Sequence, residues 1–331
     1  MTTFIDGVAQ VSYNKNAIIN GAMDIWQRGT TVALTATLDY MADRWCSCQA
    51  TPAGIQARVA SGLAGFTYAL KIGRTVSNTG TTDIKTAQII ESWNVTKLQG
   101  QAVTLSWYAK AGANFSAASS NMKIYASYGT TADEGRVKFL AGTWAGITVL
   151  ENNVTQTITT SWVRYSITFT VGAAALELGV QFSYTPVGTA GADDNLYITG
   201  VQLELGSVAT PFEFRHYGQE LALCQRYCIY FQGTSAYARY LLGAADTTNT
   251  GVGFISLPVE MRVVPAQTNS ATSTFAFGGV EPSGSFAIGY STTKLYAPNF
   301  TVAGTPFTVA HAYELRDAGS NNSWILLSSE L

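Results

Sequence analysis

Residues 195–206 read NLYITGVQLELG, and this stretch decides the class of fold. Leu196 and Ile198 share one side of an extended chain, the period of two that a half-buried strand requires. Beyond Thr199-Gly200 the apolar set moves to the odd positions Val201, Leu203 and Leu205. A regular strand with that pattern would turn its apolar side from core to water halfway along. A β-bulge at Thr199-Gly200, where glycine is the usual residue, returns both halves to one core. The stretch reads as a long bulged strand near the end of a domain, bent to close a sandwich.

The same alternation extends outward from it. VTLSWYAKA (103–111) sets Val103, Leu105 and Trp107 opposite Thr104, Ser106 and Tyr108. RYSITFTV (164–171) does so with Tyr165, Ile167, Phe169 and Val171, and LELGVQFSY (176–184) with Leu176, Leu178, Val180, Phe182 and Tyr184. Such strands belong to antiparallel sheets with one face on a core and the other toward water or a neighbour. Gly- and Asn-rich turns separate them at sandwich-like intervals.

HYGQELALCQRYCIYF (216–231) breaks the pattern, with Leu221, Cys224 and Cys228 at helical spacing. It predicts a connecting helix over residues 216–230. Alternation then resumes in ISLPVEMRVVPAQ (255–267) and in FTVAHAYELR (307–316), where His311 shares an apolar face with Phe307, Val309, Tyr313 and Leu315 and reads as a core histidine. The expected fold is all-β: a jelly-roll β-sandwich over 16–215, a short helix over 216–230, and a second, smaller β-domain over 231–331. Residues 1–15 form an N-terminal arm.

Composition narrows the function. Of the 331 residues, 19 are Lys or Arg and 21 Asp or Glu, so the formal charge is −2 and nucleic acid is not an expected partner. Charged residues make up 12% of the chain, about half the usual share. Thr, Ser, Ala, Gly and aromatic residues take their place, as in extracellular β-proteins and virion proteins. The N-terminal stretch has no signal-peptide pattern, and no window approaches the roughly 18 apolar residues of a membrane span. Cys46, Cys48, Cys224 and Cys228 read as reduced, partly buried thiols, with two histidines too far off to complete a zinc set.

The search for catalytic chemistry finds no nucleophile elbow, P-loop, dinucleotide fingerprint or H-E-x-x-H motif. The adjacent acids Asp133-Glu134 and Asp193-Asp194 point to opposite faces of a strand, unlike the facing pair of a glycosidase, and read as solvated loop or turn-capping residues. No catalytic residue is expected. Tyr108, Tyr125, Tyr128, Trp93, Trp144 and Trp162 are the aromatic types that could stack on a sugar or simply pack.

IINGAMDIWQRGTT (18–31) places Asp24, Trp26 and Arg28 within five positions, and YMADRW (40–45) adds Asp43, Arg44 and Trp45. Asn16, Asn20, Gly21, Trp26, Gln27, Arg28 and Gly29 fit the pattern Asn-x-x-x-Asn-Gly-x-x-x-x-Trp-Gln-Arg-Gly. Thr199 to Glu204, Gly206 and Ala209 to Glu213 fit Thr-Gly-Val-Gln-Leu-Glu-x-Gly-x-x-Ala-Thr-Pro-Phe-Glu. With these two blocks, residues 16 to about 230 closely resemble a recurring module of bacteriophage tail-fibre and related virion proteins. The module is itself similar to carbohydrate-binding jelly rolls.

That resemblance implies a structural protein of a tailed-phage virion, assembled in the bacterial host cytoplasm. It implies a short tail fibre or receptor-binding protein recognising host surface glycans. The alternative is a capsid decoration or head-fibre protein; a free carbohydrate-binding module and a glycan-degrading enzyme stand behind them. It implies a homotrimer, with the arm anchoring it to other virion proteins, host surface polysaccharide as ligand, and no membrane insertion. In the carbohydrate-binding relatives, acids on the first and last strands commonly hold a structural calcium. Here Met23-Asp24 stands at the first place but Thr199-Gly200 at the second, so no cofactor is expected. Adjacency of first and last strands would bring Asp24, Trp26 and Arg28 against the closing strand and the Asp43-Arg44-Trp45 segment. The expected structural signature is Asn20, Asp24, Trp26, Arg28, Asp43, Arg44, Trp45, Gln202, Glu204 and Pro211; the ligand-binding residues are open.

Overall fold

A computed structural model describes residues 3–5, 8–10, 15–34, 39–49, 54–271, 274–277, 286–289, 291–301, 307–319 and 323–331. The chain divides into one unit of residues 1–220 with 331 and a second of residues 221–330. In chain order the first unit holds a small hairpin of β1 (Thr3–Ile5) and β2 (Val8–Gln10), then β3 (Thr31–Leu34), β4 (Asp39–Tyr40), β5 (Cys46–Gln49), β6 (Gly54–Ala60), β7 (Tyr68–Arg74) and β8 (Ile84–Ile90). It continues with α1 (Ser92–Val95), β9 (Ala102–Ala111), β10 (Asn121–Gly129), α2 (Gly135–Ala141), β11 (Thr148–Thr157), β12 (Val163–Thr170), β13 (Glu177–Tyr184) and β14 (Asn195–Leu205).

Two six-stranded antiparallel sheets face each other as a jelly-roll sandwich, in the orders β11-β10-β13-β8-β5-β4 and β12-β9-β14-β7-β6-β3. The core between them takes Met122, Ile124, Leu178, Val180 and Phe182 from the first sheet and Leu70, Ile72, Val103, Leu105, Leu196 and Ile198 from the second. Trp107 of the second sheet packs on Phe182 of the first, ring centroids 5.2 Å apart, and Trp45 meets Phe182 at 6.2 Å.

The bulge sits where the change of parity places it. β14 pairs with β9 through Thr199↔Tyr108, slips, and resumes at Gln202↔Ser106. Gly200 occupies the slip with φ 61°, and a Cβ there would come within 2.8 Å of the Phe66 and Tyr108 rings. Leu196, Ile198, Val201 and Leu203 are consequently all fully buried, whereas Leu205 at the strand end is 53% exposed.

Four expectations change. β13 is buried on both faces, because α2 covers the outer side: Phe139 lies so close over Gly179 that a Cβ would stand 2.2 Å from its ring. Leu176 lies just before that strand and is exposed. The segment holding Asp24, Trp26 and Arg28 is not a strand. Asn20 and Met23 have positive φ and Gly29 a φ of 123°, so residues 15–30 run as an irregular loop ahead of β3. The helix, α3, is shorter than residues 216–230: it spans Tyr217–Gln225, and Cys228 already belongs to a strand.

The second unit contains β15 (Cys228–Gln232), β16 (Arg239–Ala245), β17 (Thr250–Ser256), β18 (Ala266–Asn269), β19 (Phe275–Phe277), β20 (Phe286–Ile288), β21 (Leu295–Tyr296), β22 (Pro298–Thr301), β23 (Ala312–Asp317) and β24 (Trp324–Ser328). A three-stranded sheet runs β15-β24-β18 and a larger one β19-β23-β16-β17-β22-β20, with β21 on β17. Its core gathers Phe275, Phe277, Phe300, Phe307 and Leu315, with Phe277 and Phe300 centroids 4.6 Å apart. His311 is the fourth correction. It lies in the turn before β23, its N–H donating to Thr308 O at 3.1 Å, and it is solvent-exposed like Val309. Alternation counts inward only once the chain is paired, and pairing starts at Ala312.

Candidate functional site

The opening loop is held by side chains that stand in for a missing ladder. The Asn16 Nδ2 donates to Val201 O at 3.0 Å, while its Oδ1 accepts the N–H groups of Ile18 (2.9 Å) and Leu203 (3.0 Å). Gln88, inside the sandwich, accepts from Ile19 N and donates to Ile19 O, each at 2.8 Å, as a neighbouring strand would. Asn20 donates through Nδ2 to Ile25 O and Asp43 O and accepts from Ile25 N. Buried backbone polar groups need such partners wherever regular pairing stops.

The indoles and charges of the signature complete this lock. Trp26 Nε1 donates to Met23 O at 2.6 Å, and the fully buried Trp45 donates to Asn20 O at 3.1 Å. Asp43 accepts Gln27 N at 3.0 Å and stands 3.9 Å from the Arg28 guanidinium, which lies over the Tyr40 ring. Arg44, in the left-handed region at φ 71°, donates to Ile89 O. Asp24 departs from the group and faces the other way.

The segment after β14 clamps the loop from outside. Gln202 Nε2 donates to Glu204 Oε1 at 2.7 Å, and Glu204 also accepts the Thr210 N–H and hydroxyl. Gln202 Oε1 in turn accepts Glu213 N at 2.8 Å. Pro211 is exposed and acts through its carbonyl, which accepts from Lys15 Nζ at 2.8 Å. Glu213 accepts the backbone N–H groups of Lys15 and Asn16 at 3.0 and 2.8 Å. Arg215 donates to Ile18 O and Asn16 O, and Glu220 accepts Asn20 N. The two sequence blocks thus hold each other.

Between loop and clamp lies a cleft of about 320 Å³. Its walls include Asp24, Tyr68, Phe212, Phe214, Arg215, Tyr217 and Glu220. Phe66, Phe212 and Phe214 form a cluster with centroids 4.9–5.1 Å apart, leaving Phe214 58% and Tyr217 64% exposed. Asp24 has no hydrogen-bond partner among the described residues. Burial, and then the negative charge of Glu220, hold its carboxyl above the usual range.

Other candidates fall elsewhere. Trp144 is buried, packing on Phe139 at 4.9 Å and donating to Gly135 O, whereas Trp93 is 76% exposed on α1. Tyr125 lies against Phe139 under the same cover, Tyr128 packs on the sandwich core, and Tyr108 sits beside Phe66. Asp194 is not a solvated turn acid. It is fully buried in an ion pair with Arg74, Nη2 to Oδ2 2.6 Å, and Arg74 further donates to the carbonyls of Asn78, Gly80, Gly188 and Val187. Cys46, Cys224 and Cys228 are buried and Cys48 half-buried. Among the described residues no three His, Cys, Asp or Glu side chains gather as a metal site. Sequence reading missed Phe214, Tyr217 and Glu220 as cleft walls. The available signal was an aromatic-rich FEFRHY outside any alternating strand.

No protein-family model matches the chain, and no curated protein matches it. Among solved structures, a CBM4 structure is 17% identical over 56% of this chain and 98% of its own, with a TM-score of 0.33. The CBM22-1 xylan-binding domain of Paenibacillus barcinonensis Xyn10C is 13% identical over 54% of this chain and 100% of its own, TM-score 0.33. The enzymatically active domain of bacteriophage CBA120 tailspike protein 4 is 12% identical over 59% of this chain and 22% of its own, TM-score 0.34. At these identities no ligand, partner or activity passes from them to this chain.

Proposed function

We propose that the first unit binds glycans in the cleft beside Asp24, as the receptor-recognising part of a tailed-phage virion protein of the short tail-fibre type. The observation that carries the glycan reading is an unpartnered carboxylate set beside two exposed aromatic rings, Phe214 and Tyr217. Aromatic faces take the C–H side of a sugar ring, and a carboxylate accepts from its hydroxyls. The virion assignment rests on the two sequence blocks that resemble the phage module. Calorimetric titration of the full chain with host surface oligosaccharides tests the cleft. Tyr217→Ala and Asp24→Asn should each weaken binding about tenfold or more without lowering the melting temperature. Binding unchanged in both variants would sink the reading. Cryo-electron microscopy of the particle tests the location: density on the capsid would replace the tail-fibre assignment with that of a decoration protein.

Binding is proposed without cleavage. Glycoside hydrolysis needs two cooperating carboxyls, and here Glu220 is engaged by Asn20 N and Arg215 while Glu213 is engaged by Lys15 and Asn16. Release of oligosaccharide by the purified protein, abolished by Asp24→Asn, would reverse this. The assembly is proposed to be a trimer with contacts in the second unit. There Leu242 and Phe254, register partners on β16 and β17, are 68% and 66% exposed side by side. Light scattering giving a monomer at micromolar concentration would refute it.

A further inference from the structure

Away from the cleft, the outward side of the second sheet carries an open groove of about 430 Å³, lined in part by Lys71, Lys110, Thr160, Asp193 and Tyr197. Register sets Lys110, Tyr197 and Lys71 in one row across β9, β14 and β7. The Lys110 ammonium lies between two rings, 5.0 Å from the Tyr197 centroid and 5.1 Å from that of Trp162. Trp162 is fixed in place, its Nε1 donating to Ser61 O at 2.8 Å.

The charges in this groove do not cancel. Asp193 is occupied within the protein: Oδ1 accepts from Asn195 Nδ2 and Tyr197 OH at 2.7 Å each, and Oδ2 from Ala113 N at 3.1 Å. Among the described residues no carboxylate lies within ion-pair distance of Lys71 or Lys110; burial opposes the charge on Asp193, but its hydrogen bonds and, from farther off, Lys71 hold its carboxyl below the usual range. An ammonium held against ring faces keeps its full charge and can still donate to an anion, whereas one in a salt bridge is neutralised. The groove therefore presents two cations against one committed acid, beside aromatic edges, in a volume of the size that holds a small ligand.

We propose that this groove is a second saccharide site selective for acidic sugars, Lys71 and Lys110 receiving a carboxylate or ester anion while Trp162 and Tyr197 border the sugar ring. The glycan reading of the cleft supplies the ligand class, but the site and its residues are separate. Calorimetry on the full chain would compare a glucuronic acid tetrasaccharide, its carboxyl-reduced neutral counterpart, glucose 6-phosphate and a thymidine decanucleotide. The uronide or the sugar phosphate should bind at least about tenfold more tightly than the neutral sugar. Whichever wins names the anion.

Lys71→Ala and Lys110→Ala should each abolish that preference, Lys110→Arg should retain it, and Tyr217→Ala should leave it intact, all with unchanged melting temperature. No preference for a charged sugar, or lysine variants without effect, overturns the proposal. So does a decanucleotide that binds as tightly, which would make the groove a general polyanion patch. Neutral-sugar binding weakened by Tyr217→Ala with no preference for a charged sugar keeps the cleft and removes the groove; a charged-sugar preference lost in the lysine variants, with neutral-sugar binding unmoved by Tyr217→Ala, does the reverse.

Discussion

The two outward faces of the sandwich carry the same kind of sequence and meet different fates. On the first sheet, Ser127 is fully buried and faces outward opposite Gly179, over which α2 lays Phe139. On the second, Ser166 faces outward opposite Ser106 and is exposed. That second face is crossed at one end by the strap after β14, which covers Thr104, Gln202 and Glu204, and it stays open where Lys71, Lys110 and Tyr197 stand. Alternation in a strand distinguishes core from non-core. Whether the non-core side meets water depends on what a distant segment lays over it.

The largest test of this difference places one change on both faces. Ser127→Lys buries an unpaired charge on the covered face and should cost roughly 3–5 kcal/mol. Denaturant unfolding of that variant alongside the wild type measures it, and a loss near zero would mean that the cover lifts freely.

Glu177 provides the second test, because only a covered face could hold it as it is held. It is fully buried, its Oε2 accepting Glu134 N at 2.9 Å and its Oε1 left without a partner. Burial raises its carboxyl from 4.5 to about 7, opposed in part by that hydrogen bond. The folded state thus favours the neutral acid, while the unfolded chain ionises it near 4.5. Its contribution is complete below that pH and is lost as pH rises through about 7, a change of at most about 3 kcal/mol. Glu177→Gln should remove that decline. A wild type whose stability relative to the variant stays level across this window would show Glu177 to be solvated.

On the second sheet, Gly200→Ala forces a Cβ at positive φ against Phe66 and Tyr108 and should cost about 1–3 kcal/mol. Thermal melts would detect it, and a neutral result would show that the rings move aside. Ser166→Lys should be the mildest change, within about 0.5 kcal/mol, since its side chain already meets water. A cost equal to that of Ser127→Lys would abolish the distinction between the faces.

The sandwich itself was legible in its strands. Val103, Leu105 and Trp107, or Leu178, Val180 and Phe182, alternate because a strand's side chains do, and the bulge followed from a change of parity that only an extra residue could repair. The resemblance of its two sequence blocks to a recurring module also marked the Asn20, Trp26, Asp43 and Trp45 neighbourhood as structural. Tertiary structure alone decided what receives these residues. Gln88 completes a backbone pairing from within the core, Glu213 and Arg215 reach back almost 200 positions to the opening loop, and Asp24 turns away toward Tyr217 and Glu220. Spacing along a strand is a local property fixed by backbone geometry, whereas a cleft, a covered face or an uncancelled lysine depends on contacts between segments that no local period encodes.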